Sequence, residues 1–221
     1  MIIVHHLEDS RSQRVLWLLE ELGLPYEVKR YDRDPVSNLA PPELYQVHPL
    51  GKSPVISDGD VTVAETGAIF EYILDTYDTG DRLKPARGSA LARDYTYWLH
   101  YAEGSAMTNL LLKLVFSRLP ERAPKLMRPL VKRVSAAAED GFIDPRIQEH
   151  LKWWQTSLAA TGHFVGDTLT GADIIMSFPL EAAASVAETK SAPDVAAFLK
   201  QMHARPAYQA ALEKGGPYAF A

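Results

Sequence analysis

The spacing of the hydrophobic residues changes from element to element over the first part of the chain. Residues 2–4 form a short apolar run, which predicts a buried strand. Apolar residues over 15–22 recur at helical spacing, and Gly23 predicts the end of that helix. Residues 26–31 alternate between apolar and charged positions, which predicts a second strand. The chain therefore begins in the order strand, helix, strand.

A hairpin and a second helix are expected next. Val55-Ile56 and residues 61–63 flank Asp58-Gly59-Asp60, a turn signal that connects antiparallel strands. A helical stripe of apolar residues follows over 66–77. Together these elements predict a small α/β domain over residues 1–80.

Strand signals disappear after a short segment with glycine and proline. Residues 81–89 contain Pro85 and Gly88 and are expected to form a linker. Beyond it, apolar residues recur every three or four positions over 91–114, which predicts a long helix. We therefore expect an all-helical domain over residues 90–221.

Later helices of this domain carry signals of their own. Helical periodicity resumes over 147–158, and two further helices are expected near 193–202 and 206–214. Thr170-Gly-Ala-Asp173 has the spacing of a capping box, in which two side chains satisfy free N–H groups at a helix start. An apolar helix is predicted to begin there.

Composition and charge exclude several classes of function. Of the 221 residues, 47% are hydrophobic and 23% are charged, as in an ordinary folded protein. The net charge is −5, so nucleic acid is not expected as a partner, because its phosphates need a basic surface. The sequence has no apolar run of the roughly 18 residues that a membrane span needs, so no membrane partner is expected.

The chain contains no cysteine. Disulfide bonds, thiolate metal ligands and a cysteine nucleophile are therefore excluded, and any thiol chemistry must use a thiol that a ligand carries. This composition fits a reducing compartment, and we expect a cytoplasmic protein. His150 and His163 lack the spacing of metal ligands, so no metal ion is expected.

Ser10 lies where the first strand should pass into the first helix. With Gln13 it has the spacing of a capping box, in which its oxygen accepts the Gln13 backbone N–H. Its hydroxyl could still donate a hydrogen bond to a ligand thiolate, and the positive end of the helix would favour that anion. Ser12 is the competing hydroxyl, and Arg11 could supply positive charge. We expect His6 to be a strand-end residue rather than a direct participant.

Five short segments stand in a fixed order along nearly the whole chain. They are Ser10-Arg-Ser-Gln-Arg-Val-Leu-Trp-Leu-Leu-Glu-Glu-Leu-Gly, His48-Pro-Leu-Gly-Lys-Ser-Pro-Val, Ala64-Glu-Thr-Gly-Ala-Ile, Thr170-Gly-Ala-Asp-Ile and Arg205-Pro-Ala-Tyr. In this order they resemble the cytosolic glutathione transferases. Tyr97-Trp-Leu-His-Tyr-Ala-Glu-Gly is similar to bacterial and fungal members with a serine-type first motif. The resemblance implies a thioredoxin-like N-terminal domain, an all-α C-terminal domain, a homodimer and glutathione as co-substrate.

The resemblance also implies roles for single residues. Ser10, Ser12 and Arg11 form the expected catalytic set around the glutathione thiol. This set leaves open which of the three groups stabilises the thiolate.

The expected glutathione-binding residues are Lys52, Ser53, Pro54, Glu65 and Thr66. The resemblance places Lys52 on the glycine carboxylate and Glu65 on the γ-glutamyl amino group. Thr66, a plausible N-cap, would hold the γ-glutamyl carboxylate with the helix N–H groups, although the family usually has serine there. The bond before Pro54 should be trans by base rate, but the resemblance implies a cis bond that presents the Ser53 backbone to the cysteinyl residue.

Leu7, Tyr101 and Glu103 are the expected residues of an electrophile pocket. The leading hypothesis is that the enzyme activates the glutathione thiol as a thiolate for attack on a small-molecule electrophile. Two alternatives are a glutathione-dependent disulfide or peroxide reductase and a non-catalytic binding module of the same fold.

Overall fold

The N-terminal part contains one mixed sheet of four strands. The structure is a computed structural model that describes residues 1–186 and 192–220. The strands are β1 (Ile2–Leu7), β2 (Tyr26–Tyr31), β3 (Val55–Asp58) and β4 (Val61–Ala64). Their order is β2-β1-β3-β4. β1 pairs parallel with β2 and antiparallel with β3, and β3 forms the predicted hairpin with β4. The strands predicted from the sequence are confirmed, and β1 is longer than its apolar run.

Two helices accompany this sheet. α1 (Gln13–Leu22) follows β1, and α2 (Thr66–Tyr77) follows β4. α1 ends as predicted at Gly23, whose φ of 68° lies in the left-handed region that glycine accepts most readily. Most of α1 is buried because it packs against α2 on one side and the C-terminal helices on the other.

The rest of the described chain is helical. Its α-helices are α3 (Ala90–Tyr101), α4 (Met107–Arg122), α5 (Arg128–Ala138), α6 (Asp144–Leu158), α7 (Gly171–Val186), α8 (Pro193–His203) and α9 (Pro206–Gly215). α1 contacts α7 and α9, so the two parts of the chain share one hydrophobic core. The predicted fold class, an α/β part followed by an all-helical part, is confirmed.

The long helix predicted from residue 91 onward contains a break in its regular winding. α3 and α4 are joined by a π-helical turn at Ala102–Ala106. A π turn holds more residues than an α turn, so it changes which side chains face inward beyond it. Trp98 and Leu99, which lie before the turn, are buried as their spacing predicts.

The predicted cap of the apolar helix is present at the start of α7. The buried Asp173 carboxylate accepts hydrogen bonds from the Thr170 backbone N–H at 2.7 Å and from the Thr170 hydroxyl at 3.0 Å. It also accepts the Phe164 backbone N–H at 2.8 Å. This one side chain therefore fixes both the helix start and the loop before it.

The two other predicted caps are wrong. The Ser10 oxygen accepts the Ser12 backbone N–H at 3.3 Å, while the side-chain amide of Gln13 has no hydrogen-bond partner among the described residues. Thr66 is the first residue of α2 rather than its cap, and Glu65 precedes it. In both places the residue that precedes the helix lies one or two positions away from the cap that the motif alone suggests.

Within residues 1–186 and 192–220, no helix has both the length and the apolar character to cross a bilayer.

Candidate functional site

A small polar cavity lies between the sheet and the helical part. Its volume is about 140 Å³, and its wall includes all five residues predicted to bind glutathione: Lys52, Ser53, Pro54, Glu65 and Thr66. His48, Leu50, Ala64, Arg11 and Glu103 complete it. The cavity thus collects side chains of both charges from four separate segments of the chain.

Ser53 is tied to the end of β1. Its hydroxyl donates to the His5 carbonyl at 2.7 Å and accepts the Leu7 backbone N–H at 3.3 Å. The Ser53–Pro54 peptide bond is cis, as the resemblance implies and the base rate does not. These contacts hold the segment between residue 53 and β3 in the cavity wall.

Glu65 is a non-glycine residue with a strained backbone. Its φ of 71° lies in the left-handed region, which costs a residue with a side chain about 1–3 kcal/mol. The turn brings Glu65 and Thr66 into the cavity wall at the start of α2. The free N–H groups of a helix start favour an anion there.

A larger apolar cavity adjoins the polar one. It has a volume of about 490 Å³, and the two cavities share Arg11, Lys52 and Ser53. Its apolar wall is formed by Leu7, Leu39, Ala40, Met107, Leu110, Leu111, Leu114, Phe178, Ala182, Val186 and Phe220. Leu7, which is expected in an electrophile pocket, lies in this wall, while α4, α7 and the C-terminal tail supply lining residues that were not among the expected ones.

The two serines of the predicted catalytic set have different access to these cavities. Ser10 lines the apolar cavity, whereas Ser12 is fully buried and lines neither. The Ser10 and Ser12 hydroxyl oxygens are 2.7 Å apart, and the Ser12 oxygen is 2.8 Å from His6 Nδ1. His6 therefore takes part in the serine cluster, contrary to expectation.

His6 is buried and uncharged near neutral pH. Burial, together with the nearby Arg30 guanidinium, lowers the pKa of His6 to about 4. Hydrogen bonding to the Gly215 backbone and the charge of Asp9 act in the opposite direction but are smaller effects.

Glu103 lies in the polar cavity, so its expected place in the electrophile pocket is corrected. Its carboxylate is 2.6 Å from Arg14 Nη2 and 3.3 Å from Arg11 Nε. Burial by itself would raise the pKa of this carboxyl, but the two guanidinium groups hold the pKa below its usual range. Glu103 is therefore a charged group that orients the two arginines beside the cavity.

Tyr101 does not lie in either cavity wall, so this expectation is also corrected. Its hydroxyl accepts the Trp154 indole N–H at 3.2 Å and is hydrogen-bonded to His150 Nδ1. Burial raises the pKa of Tyr101 well above its usual value. The residue belongs to the core between α3 and α6.

Arg14 is a buried charged residue beside the site that sequence reasoning missed. It is nearly inaccessible to solvent, and it donates to the Ile175 carbonyl at 2.5 Å as well as to Glu103. The signal for it was weak, because a single arginine within an apolar helical stripe is ordinarily expected to extend to the surface.

Comparison with known proteins identifies the family of this chain. The family model for the glutathione S-transferase N-terminal domain matches residues 1–75, and the model for the C-terminal domain matches residues 121–215. Glutathione S-transferase 3 of Schizosaccharomyces pombe is 34% identical over 97% of this chain and 88% of its own length. The chain belongs to the glutathione S-transferase family. Glutathione S-transferase 1 of Saccharomyces cerevisiae is 32% identical over 97% of this chain and 95% of its own length.

Solved structures of glutathione transferases show the same fold. The glutathione S-transferase from Actinobacillus pleuropneumoniae has a TM-score of 0.81 and 36% identity, covering 100% of this chain and 95% of its own. A glutathione transferase from Phanerochaete chrysosporium, solved with oxidized glutathione, has a TM-score of 0.76 at 20% identity, over 97% of this chain and 94% of its own. The predicted thioredoxin-like domain with an all-helical C-terminal domain is confirmed, and so is the prediction of a glutathione transferase enzyme.

The buried histidine of this transferase predicts a loss of stability in acid. The pKa of His6 is lowered on folding, so below about pH 6.5 the unfolded state binds a proton that the folded state rejects. Protonation of His6 in the unfolded state therefore does not reduce the free energy of unfolding above that pH, and it reduces this free energy by about 3 kcal/mol at pH 4. We expect His6→Asn to remove most of this fall, measured by urea unfolding at pH 7 and pH 4. Equal losses in the wild type and the variant would contradict the assignment.

Proposed function

We propose that this transferase binds glutathione in the polar cavity and conjugates its sulfur to an apolar electrophile in the larger cavity. One observation carries the proposal. The two cavities meet at Arg11, Lys52 and Ser53, and the hydroxyl-bearing Ser10 lies in the wall beside that junction. A thiol held at the junction is in reach of both a hydrogen-bonding group and an apolar substrate.

The charges in the polar cavity suit the two ends of glutathione. Lys52 is the partner we propose for the glycine carboxylate. Glu65 would bind the γ-glutamyl amino group, and Thr66 with the start of α2 its carboxylate. The backbone of Ser53, between these ends, would pair with the cysteinyl residue as an added strand. This orientation directs the sulfur towards Ser10.

Thiol activation by itself accounts for only part of the rate. Lowering a thiol pKa of about 8.5 by roughly two units stabilises the thiolate by about 2.7 kcal/mol and raises its fraction at pH 7 from ~3% to ~75%. The less basic thiolate is roughly eightfold less nucleophilic, so the net gain is about threefold. The apolar cavity must therefore contribute by holding the electrophile in line with the sulfur.

The second cavity favours an apolar electrophile of moderate size. About 490 Å³ is within the range of small-molecule sites, and most of the wall is aliphatic or aromatic. Arg33 lines it too, and this guanidinium donates to the Glu8, Asp9 and Asn38 carbonyls. With Arg11, it supplies positive charge for an anion that develops on the electrophile during attack.

This cavity also favours conjugation over the alternatives. A large apolar site beside the thiol is what conjugation to an organic electrophile requires, whereas reduction of a small peroxide has no use for it. The named transferases among the relatives weigh against a non-catalytic binding module. A detoxifying role in the cytoplasm fits this chemistry and the cysteine-free composition.

The ultraviolet thiolate band of bound glutathione, followed against pH, tests thiol activation. We expect Ser10→Ala to raise the pKa of the bound thiol by roughly one unit, because a hydrogen bond to a charged group contributes about 1.5–3 kcal/mol and water replaces part of it. Ser12→Ala should shift this pKa less, since its hydroxyl does not reach a cavity.

Lys52→Met is the matched control for this experiment. It should weaken glutathione binding and raise the pKa of the bound thiol less than Ser10→Ala does. A wild-type protein that fails to bind glutathione would refute the proposed function, and an unmoved pKa in Ser10→Ala would transfer the catalytic role to Arg11.

Filling the apolar cavity tests the assignment of the electrophile. Ala182 lies in its wall on α7, and Ala182→Phe should occupy part of the volume. We expect KM for a bulky aromatic electrophile to rise at least tenfold, while the affinity for glutathione and its thiolate band stay as in the wild type. An unchanged KM would show that the electrophile binds elsewhere.

We also propose a homodimer, in which a second copy of the chain covers an exposed apolar face. This α4–α5 face consists of Leu119, Leu126, Met127, Leu130 and Val134, all of them exposed. Contiguous exposed apolar surface is characteristic of protein interfaces. We expect light scattering to give twice the mass of one chain for the wild type and the mass of one chain for Leu130→Glu. Val36→Glu, at an exposed apolar residue outside this face, is the control and should remain dimeric.

A further inference from the structure

The serine cluster beside the apolar cavity is a continuous chain of hydrogen bonds. Ser10 Oγ lies 2.7 Å from Ser12 Oγ, which lies 2.8 Å from His6 Nδ1. All three side chains are buried. Each serine hydroxyl has a single proton to donate, so the direction of one bond in the chain fixes the direction of the next.

The contact of His6 with α9 sets this direction in the free enzyme. The imidazole lies against the backbone of Gly215, where a Cβ would come within 3.3 Å of His6 Cε1, and this backbone favours the charged ring. A backbone group that favours a charged imidazole is an accepting carbonyl, so the ring nitrogen on that side carries the hydrogen. Since Ser12 occupies Nδ1, the nitrogen that faces Gly215 is Nε2. The neutral ring then accepts at Nδ1, so Ser12 donates to His6 and Ser10 donates to Ser12. The Ser10 proton points inward, and only its lone pairs are offered to the cavity.

A thiolate needs a donor, so this resting direction is unsuited to it. Ser10 can donate to sulfur without breaking the chain only if every bond reverses. Ser12 then donates to Ser10, and His6 Nδ1–H donates to Ser12. Because Nε2–H still faces the Gly215 carbonyl, the reversed chain has a proton on both ring nitrogens.

We propose that His6 takes up the proton of the glutathione thiol through Ser10 and Ser12, so that thiolate and imidazolium form together. The proposal rests on the proposed function, because it needs the thiol beside Ser10. The S–H bond breaks and its electron pair stays on sulfur, while its proton forms a new O–H bond at Ser10. The former Ser10 proton passes to Ser12, and the former Ser12 proton passes to Nδ1. Nothing is released to solvent, and His6 acts as a positioning residue through the two serines.

The surrounding charges explain why the chain returns to its resting direction. Arg30 on β2 opposes a charged imidazole, and Asp9 after β1 favours one. With burial, the balance keeps His6 neutral in the free enzyme. A thiolate at the far end of the chain supplies the missing anion, and the same attraction stabilises both the thiolate and the imidazolium.

The number of protons released for each thiolate formed tests the proposal directly. Calorimetric titration with glutathione at pH 7, in two buffers with different ionisation enthalpies, gives the protons released on binding. The same titration with S-methylglutathione, which has no thiol, corrects for all other groups. The ultraviolet thiolate band gives the amount of thiolate. We expect the wild type to form thiolate with close to zero protons released per thiolate after this correction.

Two variants make the result specific to His6. His6→Asn offers Ser12 a polar partner that cannot bind a proton, so each thiolate should now release close to one proton. His5→Asn is the matched control, because His5 is a buried neighbour on the same strand that contacts Tyr31 and Ser57 instead. It should release as few protons as the wild type.

Other outcomes overturn the inference in distinguishable ways. If the wild type binds glutathione and releases one proton per thiolate, the relay is wrong while the proposed function stands. The relay is also wrong if glutathione binds without forming thiolate, or if His6→Asn releases no more protons than the wild type. If glutathione does not bind to the wild type, both the relay and the proposed function fail.

Discussion

The buried guanidinium of Arg14 is the contact on which the site depends. It donates to the Ile175 carbonyl on α7 at 2.5 Å, to the Glu103 carboxylate at 2.6 Å and to the Thr66 hydroxyl at 3.5 Å. The Cζ atom of Arg14 lies 5.1 Å from the centre of the Phe178 ring. A buried charge is tolerated only when its hydrogen-bonding groups are satisfied, so the α/β part and the helical part must meet in this one arrangement.

The same contacts place the walls of both cavities. Thr66 and Glu103 line the polar cavity, and Phe178 lines the apolar one. Neither part of the chain contains a complete site, because the sheet supplies the segments around Ser53 and Thr66 while α4, α7 and the tail supply most of the apolar wall. Removing the Arg14 side chain would therefore disturb the walls of both cavities as well as the core.

The C-terminal helix completes the surroundings of the thiol site. A Cβ at Gly215 would come within 2.6 Å of the Gln13 amide oxygen and 3.3 Å of His6 Cε1, so a larger residue here would require the Gln13 side chain to move. Its carbonyl also accepts Arg30 Nη1 at 2.8 Å. The end of α9 thus fixes the orientation of His6, and His6 fixes the two serines that lie between it and the cavity.

The sequence by itself determined the order of strands and helices, the helix end at Gly23, the cap at Asp173 and five of the residues in the wall of the polar cavity. These depend on local spacing or on contiguous motifs, which a linear sequence contains in full. Only the tertiary structure decided which way side chains far apart in sequence point. Tyr101, the last residue of α3, lies in the core, whereas Glu103, within the π turn at Ala102–Ala106, reaches Arg14. The hydrogen bonds of Ser10 likewise depend on His6 of β1 and on Gly215 at the end of α9, 205 residues further along the chain. The direction of hydrogen bonds in a buried cluster depends on every group packed around it, and these groups meet only in the folded chain.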